Sequence, residues 1–199
     1  LASISAILFA SRPWSTLAAK QQLKTEDLLK FDTKGQVTLL HLTDIHGQLK
    51  PVYFRPPSEN FGVGNFEGIP PHLVGEAFLE HFGISPNTPL AYAHTMVDYV
   101  PLAIEYGKLG GLDRTSALIK AIRSERGEDK VLLLDGGDTW QGSYTSLKTQ
   151  GADMVEAMKL LGTNAMVGHW EFTFGQKRLK ELVKKMGYPF LGGNVFDTE

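Results

Sequence analysis

Short apolar runs alternate along the chain with longer stretches in which apolar residues recur every three or four positions, and that alternation sets the fold class. Val37-Thr38-Leu39-Leu40-His41-Leu42 is β-branched and apolar, and reads as a strand feeding a loop. After Gly110-Gly111 a helix is expected through Leu118, Ala121 and Ile122. Val131-Leu132-Leu133-Leu134 then forms a continuous apolar run ending in Asp135-Gly136-Gly137-Asp138, the composition of a strand covered on both faces. Met154, Val155, Met158 and Leu161 share one helical face closed by Gly162, and Ala165-Met166-Val167 reads as a short strand. Leu179, Leu182, Val183 and Met186 form the next helical face, Gly187 and Pro189 end it, and Phe190-Leu191 begins another strand. Strand and helix alternate, which predicts an α/β layered fold with parallel pairing and right-handed crossovers.

Between the first strand and the first helix the text changes. From Lys50 to about Tyr106, Pro51, Pro56-Pro57, Pro70-Pro71, Pro86 and Pro89 are interleaved with glycines, leaving room for one short helix near Val74 to His81. This segment, about 50–106, reads as a functional excursion from the scaffold, its aromatics and prolines arguing against disorder. It is expected either to form part of the wall of a channel or to pack on another domain.

Composition narrows the picture little. With 42% hydrophobic and 21% charged residues the chain is ordinary globular protein. A formal net charge of −2 argues against general affinity for nucleic acid or an anionic membrane, and Lys177-Arg178 with Lys184-Lys185 reads as the solvated face of a helix. The absence of cysteine removes thiolate ligands and leaves histidine and carboxylate for any metal. Ala6-Ile7-Leu8-Phe9-Ala10, followed by small residues, reads as the tail of an export signal over about 1–20, the competing reading being an apolar helix packed on the domain. No stretch reaches the roughly 20 apolar residues of a spanning helix, so no stable membrane association is expected.

Candidate chemistry lies just past the carboxyl ends of the strands, where ligands gather in sheets of this kind. Asp44-Ile45-His46 follows the first, Gly136-Gly137-Asp138-Thr139-Trp140-Gln141-Gly142-Ser143 the second, and Gly168-His169-Trp170-Glu171-Phe172-Thr173 the third. Aspartate and histidine from three neighbouring loops offer oxygen and imidazole donors to divalent Mn, Zn or Fe. Two such ions about 4 Å apart can generate a bridging hydroxide and hold an oxyanion. Gly136-Gly137 allows a tight turn that points Asp138 into the cleft. Trp170 is open to two readings, a pocket wall or an ordinary core tryptophan, and His41, His72, His81 and His94 are given no role.

On these motifs the chain resembles the calcineurin-like metallophosphoesterases of the 5′-nucleotidase branch over about Gln36 to Asn194, and more narrowly the SoxB thiosulfohydrolase family. The narrower likeness rests on Gly-Asp-Thr-Trp-Gln-Gly-Ser at 137–143, Gly-His-Trp-Glu-Phe at 168–172, Tyr53-Phe54-Arg55-Pro56 and Pro70-Pro71-His72-Leu73. The resemblance implies a four-layer αββα sandwich, incomplete in this chain, with a dimanganese site. It further implies a periplasmic enzyme that removes sulfate from a sulfonated cysteine on the carrier complex SoxYZ. Asp44 and His46 match ligands of one metal, Asp138 the carboxylate that bridges both, and His169 stands where the family places an asparagine ligand to the second. The remaining family ligands belong to later motifs that do not occur here. The chain is therefore expected to be the front part of a longer enzyme, inactive alone, with a C-terminal domain absent.

The departures from nucleotidases are chemical. Where those enzymes carry a histidine that assists the leaving group and an aspartate that orients it, this chain has Trp170 and Thr173, neither a proton donor near neutral pH. An alkoxide leaving a phosphate ester benefits from protonation, whereas a thiol of pKa about 8.5 leaves readily as thiolate. The pattern favours hydrolysis of an S–S bond. The alternatives are a nucleotidase-type phosphohydrolase and a catalytically inert fragment or binding module.

Overall fold

The computed structural model describes residues 35–196, so the expected signal remnant lies outside the described residues. They fall into two compact units, one made of Pro51–Gly110 and the other of the flanking residues, 35–50 and 111–196.

The second unit is built on four parallel strands, β1 (Thr38–Leu42), β2 (Val131–Asp135), β3 (Ala165–Val167) and β4 (Phe190–Leu191), in the order β1-β2-β3-β4. Successive right-handed crossovers that all step in one direction put their helices on one face. Packing follows that rule. Leu40, Leu42, Leu133, Met166 and Phe190 meet side chains of three helices, Leu112–Arg126, Ala152–Leu161 and Gln176–Met186, in one apolar core around Met154, Met158, Leu182 and Met186.

The other face is bare among the described residues. Leu39 is 64% exposed and Leu132 42%, with Val167 and Leu191 also exposed. Among the described residues β2 buries one row, Val131 and Leu133, and in the other leaves Leu132 exposed and Leu134 half-buried, where the sequence reading has both faces covered. The described part of this unit thus carries one sheet and one layer of helices.

Helix ends are closed by the expected chemistry. Gly162 ends Ala152–Leu161 in the left-handed region at φ 72°, which only glycine enters cheaply. Arg123 then donates from both terminal nitrogens to the carbonyls of Leu161 and Gly162, at 2.6 and 2.7 Å, placing a cation at the negative end of that helix.

The Pro51–Gly110 unit carries three helices where the sequence pattern suggests one, α1 (Gly75–Phe82), α2 (Pro89–His94) and α3 (Tyr99–Tyr106). The difference comes from Pro89 and Pro101, which sit in first turns where no intrahelical N–H is required. Thr88 caps α2 by accepting the N–H of Ala91 at 3.2 Å. The unit has its own buried residues, Tyr92, Leu102 and Leu109 in one cluster and Leu79, Ile84 and Leu90 in another. The Tyr92 hydroxyl donates to the Gly107 carbonyl at 2.6 Å. Numbering continues with α4 (Leu112–Arg126), α5 (Tyr144–Thr149), α6 (Ala152–Leu161) and α7 (Gln176–Met186); α5 is a further short helix absent from the sequence reading. No helix among the described residues is long and apolar enough to cross a membrane.

Candidate metal centre

The loops after β1 and β2 continue side by side beyond the strands. Gly136 N–H donates to Leu42, Asp44 N–H to Gly137, His46 N–H to Asp138 and Gly47 N–H to Thr139, all at 2.8–3.0 Å. Such a ladder fixes the two loops in register. Within it Asp44, His46 and Asp138 all adopt positive φ, at 54°, 52° and 55°. Left-handed backbone is uncommon outside glycine and persists where surrounding bonds over-determine it. Here those bonds are the ladder itself, and the strain turns three donor side chains toward one place.

Close packing keeps the loops near. A Cβ on Gly137 would lie 2.8 Å from the Val167 carbonyl oxygen, and one on Gly142 2.5 Å from the His46 carbonyl oxygen. Neither position has room for a side chain. The Gly137 backbone therefore approaches the loop after β3, and Gly142 the loop after β1, more closely than any other residue allows.

Asp138, 5% exposed, is the hub. Its Oδ2 lies 3.5 Å from Nε2 of His46 and 3.3 Å from Nδ1 of His169. Nε2 of His46 is 3.9 Å from Oδ1 of Asp44, and one donor atom from each of Asp44, His46 and Asp138 lies within 4.8 Å of the others. Donors to one transition-metal ion sit about 2 Å from it, so these separations are of the size a shared ion requires. Carboxylate and imidazole together suit divalent Mn, Zn or Fe. All four residues drawn from the motifs thus stand at one sheet edge, His169 joined to the other three through Asp138. His41, His72, His81 and His94 are not in the group.

Trp170 stands beside His169, its ring edge-on with centroids 6.3 Å apart, and is 54% exposed. The core-tryptophan reading does not hold; the buried tryptophan of these motifs is Trp140. Thr173 spends its hydroxyl on the Trp170 carbonyl at 2.7 Å.

The residue that sequence reasoning missed is Glu171. It is 0% exposed, and its carboxylate accepts four backbone N–H groups: Oε1 from Thr139 and Trp140 at 2.7 and 3.2 Å, Oε2 from Asp138 and His169 at 3.2 and 2.8 Å. A carboxylate satisfied by several N–H groups tolerates burial without a cation. Its signal in sequence was a lone charge set between the aromatics Trp170 and Phe172.

At the end of β2, Asp135 is buried and accepts the Gly137 N–H and the Thr139 hydroxyl through Oδ1. Burial pushes its carboxyl above the usual aspartate range, offset in part by the Gly137 N–H and the Thr139 hydroxyl, with the negative charge of Glu171 adding to the rise. Tyr188 is pushed up too, first by burial and then by the Asp135 and Glu171 carboxylates.

No family profile matches the chain. Over 89 residues it is 36% identical to the 5′-nucleotidase of Bos taurus and 37% to that of Homo sapiens, covering 44% of this chain and 15% of each of those proteins. The structure of the sulfate thiohydrolase SoxB of Thermus thermophilus, solved with glycerol, matches with a TM-score of 0.72 and 38% identity, covering 82% of this chain and 30% of that one. These likenesses support the calcineurin-like metallophosphoesterase and 5′-nucleotidase superfamily, and the fold is SoxB-like. Members of this superfamily are hydrolases, and Asp44, His46 and Asp138 are this chain's candidate ligands for a divalent metal. The chain spans less than a third of the SoxB chain and less than a sixth of the nucleotidases it matches.

Proposed function

We propose that the protein containing this chain is a dinuclear metal-dependent thiosulfohydrolase, releasing sulfate from a cysteine S-sulfonate or S-thiosulfonate carried by a protein. The observation that carries the reading is the loop after His169. Trp170 projects an exposed indole beside the candidate ligand, and the Thr173 hydroxyl is committed to the Trp170 carbonyl. No side chain in these two positions can hand a proton to a departing group.

Asp44, His46, Asp138 and His169 would hold two divalent ions, which we take to be Mn. Bound there, such ions lower the pKa of a coordinated water and neutralise charge on the sulfonate oxygens. Asp138 faces both imidazoles with one oxygen, which suits it to serve both ions. The water oxygen forms a fourth S–O bond, the S–S bond breaks, and the cysteine sulfur keeps its electron pair as thiolate. Both water protons pass to solvent. A thiolate needs no acid for departure, so the loss of the nucleotidase dyad is tolerated here and not at a P–O bond. Trp170 is placed to wall the path of the peptide arm that carries the cysteine. The carrier we propose is SoxYZ, met in the periplasm.

The second reading, a nucleotidase-type phosphohydrolase, draws on the 36–37% identity to 5′-nucleotidases. Full-length protein offered a peptide with S-sulfonated cysteine and, separately, a nucleoside monophosphate separates the two. Faster release of phosphate than of sulfate would overturn the thiosulfohydrolase reading.

A further inference from the structure

Each of the two candidate carboxylates has one oxygen tied by a neutral donor and the other left to the site. The Thr43 hydroxyl donates to Oδ2 of Asp44, while Oδ1 faces His46. Nε2 of Gln141 donates to Oδ1 of Asp138 at 3.0 Å, while Oδ2 faces His46 and His169. Gln141 is partly buried and lies in the segment between β2 and α5. It follows Asp138 by three residues and turns back on it.

We infer that Gln141 is a positioning residue that fixes the Asp138 carboxylate so that Oδ2 alone is presented to metal. A carboxylate can bind through one oxygen or two, and its torsion is soft, so an unrestrained aspartate samples both. An amide donor on one oxygen removes that choice without adding charge. It also leaves the aspartate able to neutralise a cation, which a lysine or arginine in the same place would oppose. Outer groups that orient ligands in this way are worth about 10–100-fold in metal affinity. The inference rests on the metal-centre reading and deepens it by naming what sets the binding mode of its shared ligand.

The test uses full-length protein stripped of metal and titrated with Mn²⁺ alone, comparing wild type with Gln141→Met, which keeps chain length and loses the donor. Gln141→Met should bind Mn²⁺ about 10–100-fold more weakly. The EPR spectrum of its manganese-loaded form should change, and the melting temperature of the metal-free form should stay within a few degrees of wild type, roughly the effect of one partly exposed hydrogen bond. Unchanged affinity and spectrum would overturn the inference while leaving the metal centre intact. A metal-free melting temperature that falls far more would assign Gln141 to the fold and overturn it as well. Wild-type protein that takes up no Mn²⁺ would overturn the metal-centre reading and this inference together.

Discussion

The backbone N–H of His169 donates at 2.8 Å to Oε2 of Glu171, two residues further along the chain. The same oxygen accepts the N–H of Asp138 at 3.2 Å, so one buried atom holds the backbones of two candidate ligands from different loops. Removing it leaves four N–H groups to find water. Glu171→Ala should lower stability by about 2–4 kcal/mol, the range for stranding buried donors, read from urea unfolding of full-length protein. Glu171→Gln should fall between, because its –NH₂ must confront one of the two donor pairs. Wild-type stability in both would show that the clamp is dispensable.

Asp138→Ala should reduce turnover to below about 1% of wild type, because the atom serving both imidazoles is gone. Asp138 packs in a loop and not in the apolar core, so circular dichroism should stay close to wild type. Activity that survives with both metals retained, by mass spectrometry, would remove Asp138 from the shared position.

Trp170 offers the sharpest test of the leaving group. Trp170→His should give little gain on an S-sulfonated peptide, since thiolate departure needs no proton. Trp170→His/Thr173→Asp, which also orients the new imidazole, should gain phosphatase activity over wild type. Paired rates on the sulfonated peptide and a nucleoside monophosphate decide the matter; a large rise on the peptide would show that its departure does need an acid.

Asp135 predicts a pH dependence of stability with a sign opposite to that of a salt-bridged carboxylate. Its folded pKa is raised by burial, so the folded chain holds a proton that the unfolded chain releases first. Stability therefore falls as pH rises from the unfolded value through the folded one, and the penalty is complete above both. Asp135→Asn keeps an acceptor for the Gly137 N–H and Thr139 hydroxyl and removes the charge. The variant should unfold at higher urea than wild type at about pH 7, with the advantage fading toward about pH 3. An advantage that does not vary with pH would mean that Asp135 is not the titrating group.

Strong periodicity made the scaffold legible. Met154, Val155, Met158 and Leu161 all lie buried on one helix, and Leu182 and Met186 on the next, because a 3.6-residue repeat leaves few other ways to hide them. Asp44, His46, Asp138 and His169 could be read as a group because each follows a strand of one parallel sheet. What stayed hidden depends on context. Leu132 belongs to an apolar run yet faces outward, since which rows are covered is decided by the direction of the crossovers and not by the run. Trp170 is large and aromatic yet exposed, while Trp140 nearby is sealed, and nothing local to either residue separates them. Pro89 looked like a breaker and proved to be a starter, a distinction of one or two positions.

Leu112 N–H donates to the Leu49 carbonyl at 3.1 Å, and just beyond, Val52 and Leu109 exchange two backbone bonds at 2.9 and 2.7 Å. The Pro51–Gly110 unit therefore has its first and last residues paired with each other. Pairing β1 with β2 across residues 43–130 would ordinarily carry the loop-closure entropy and slow formation of a distant contact. With its ends already stapled, the inserted unit can fold as a separate piece and shorten the effective separation of the two strands that carry Asp44 and Asp138. Replacing 51–110 by a short glycine linker should accordingly leave the parallel sheet able to form, and the order of assembly, insert first and ligand edge second, becomes a question for pulse-labelling hydrogen exchange.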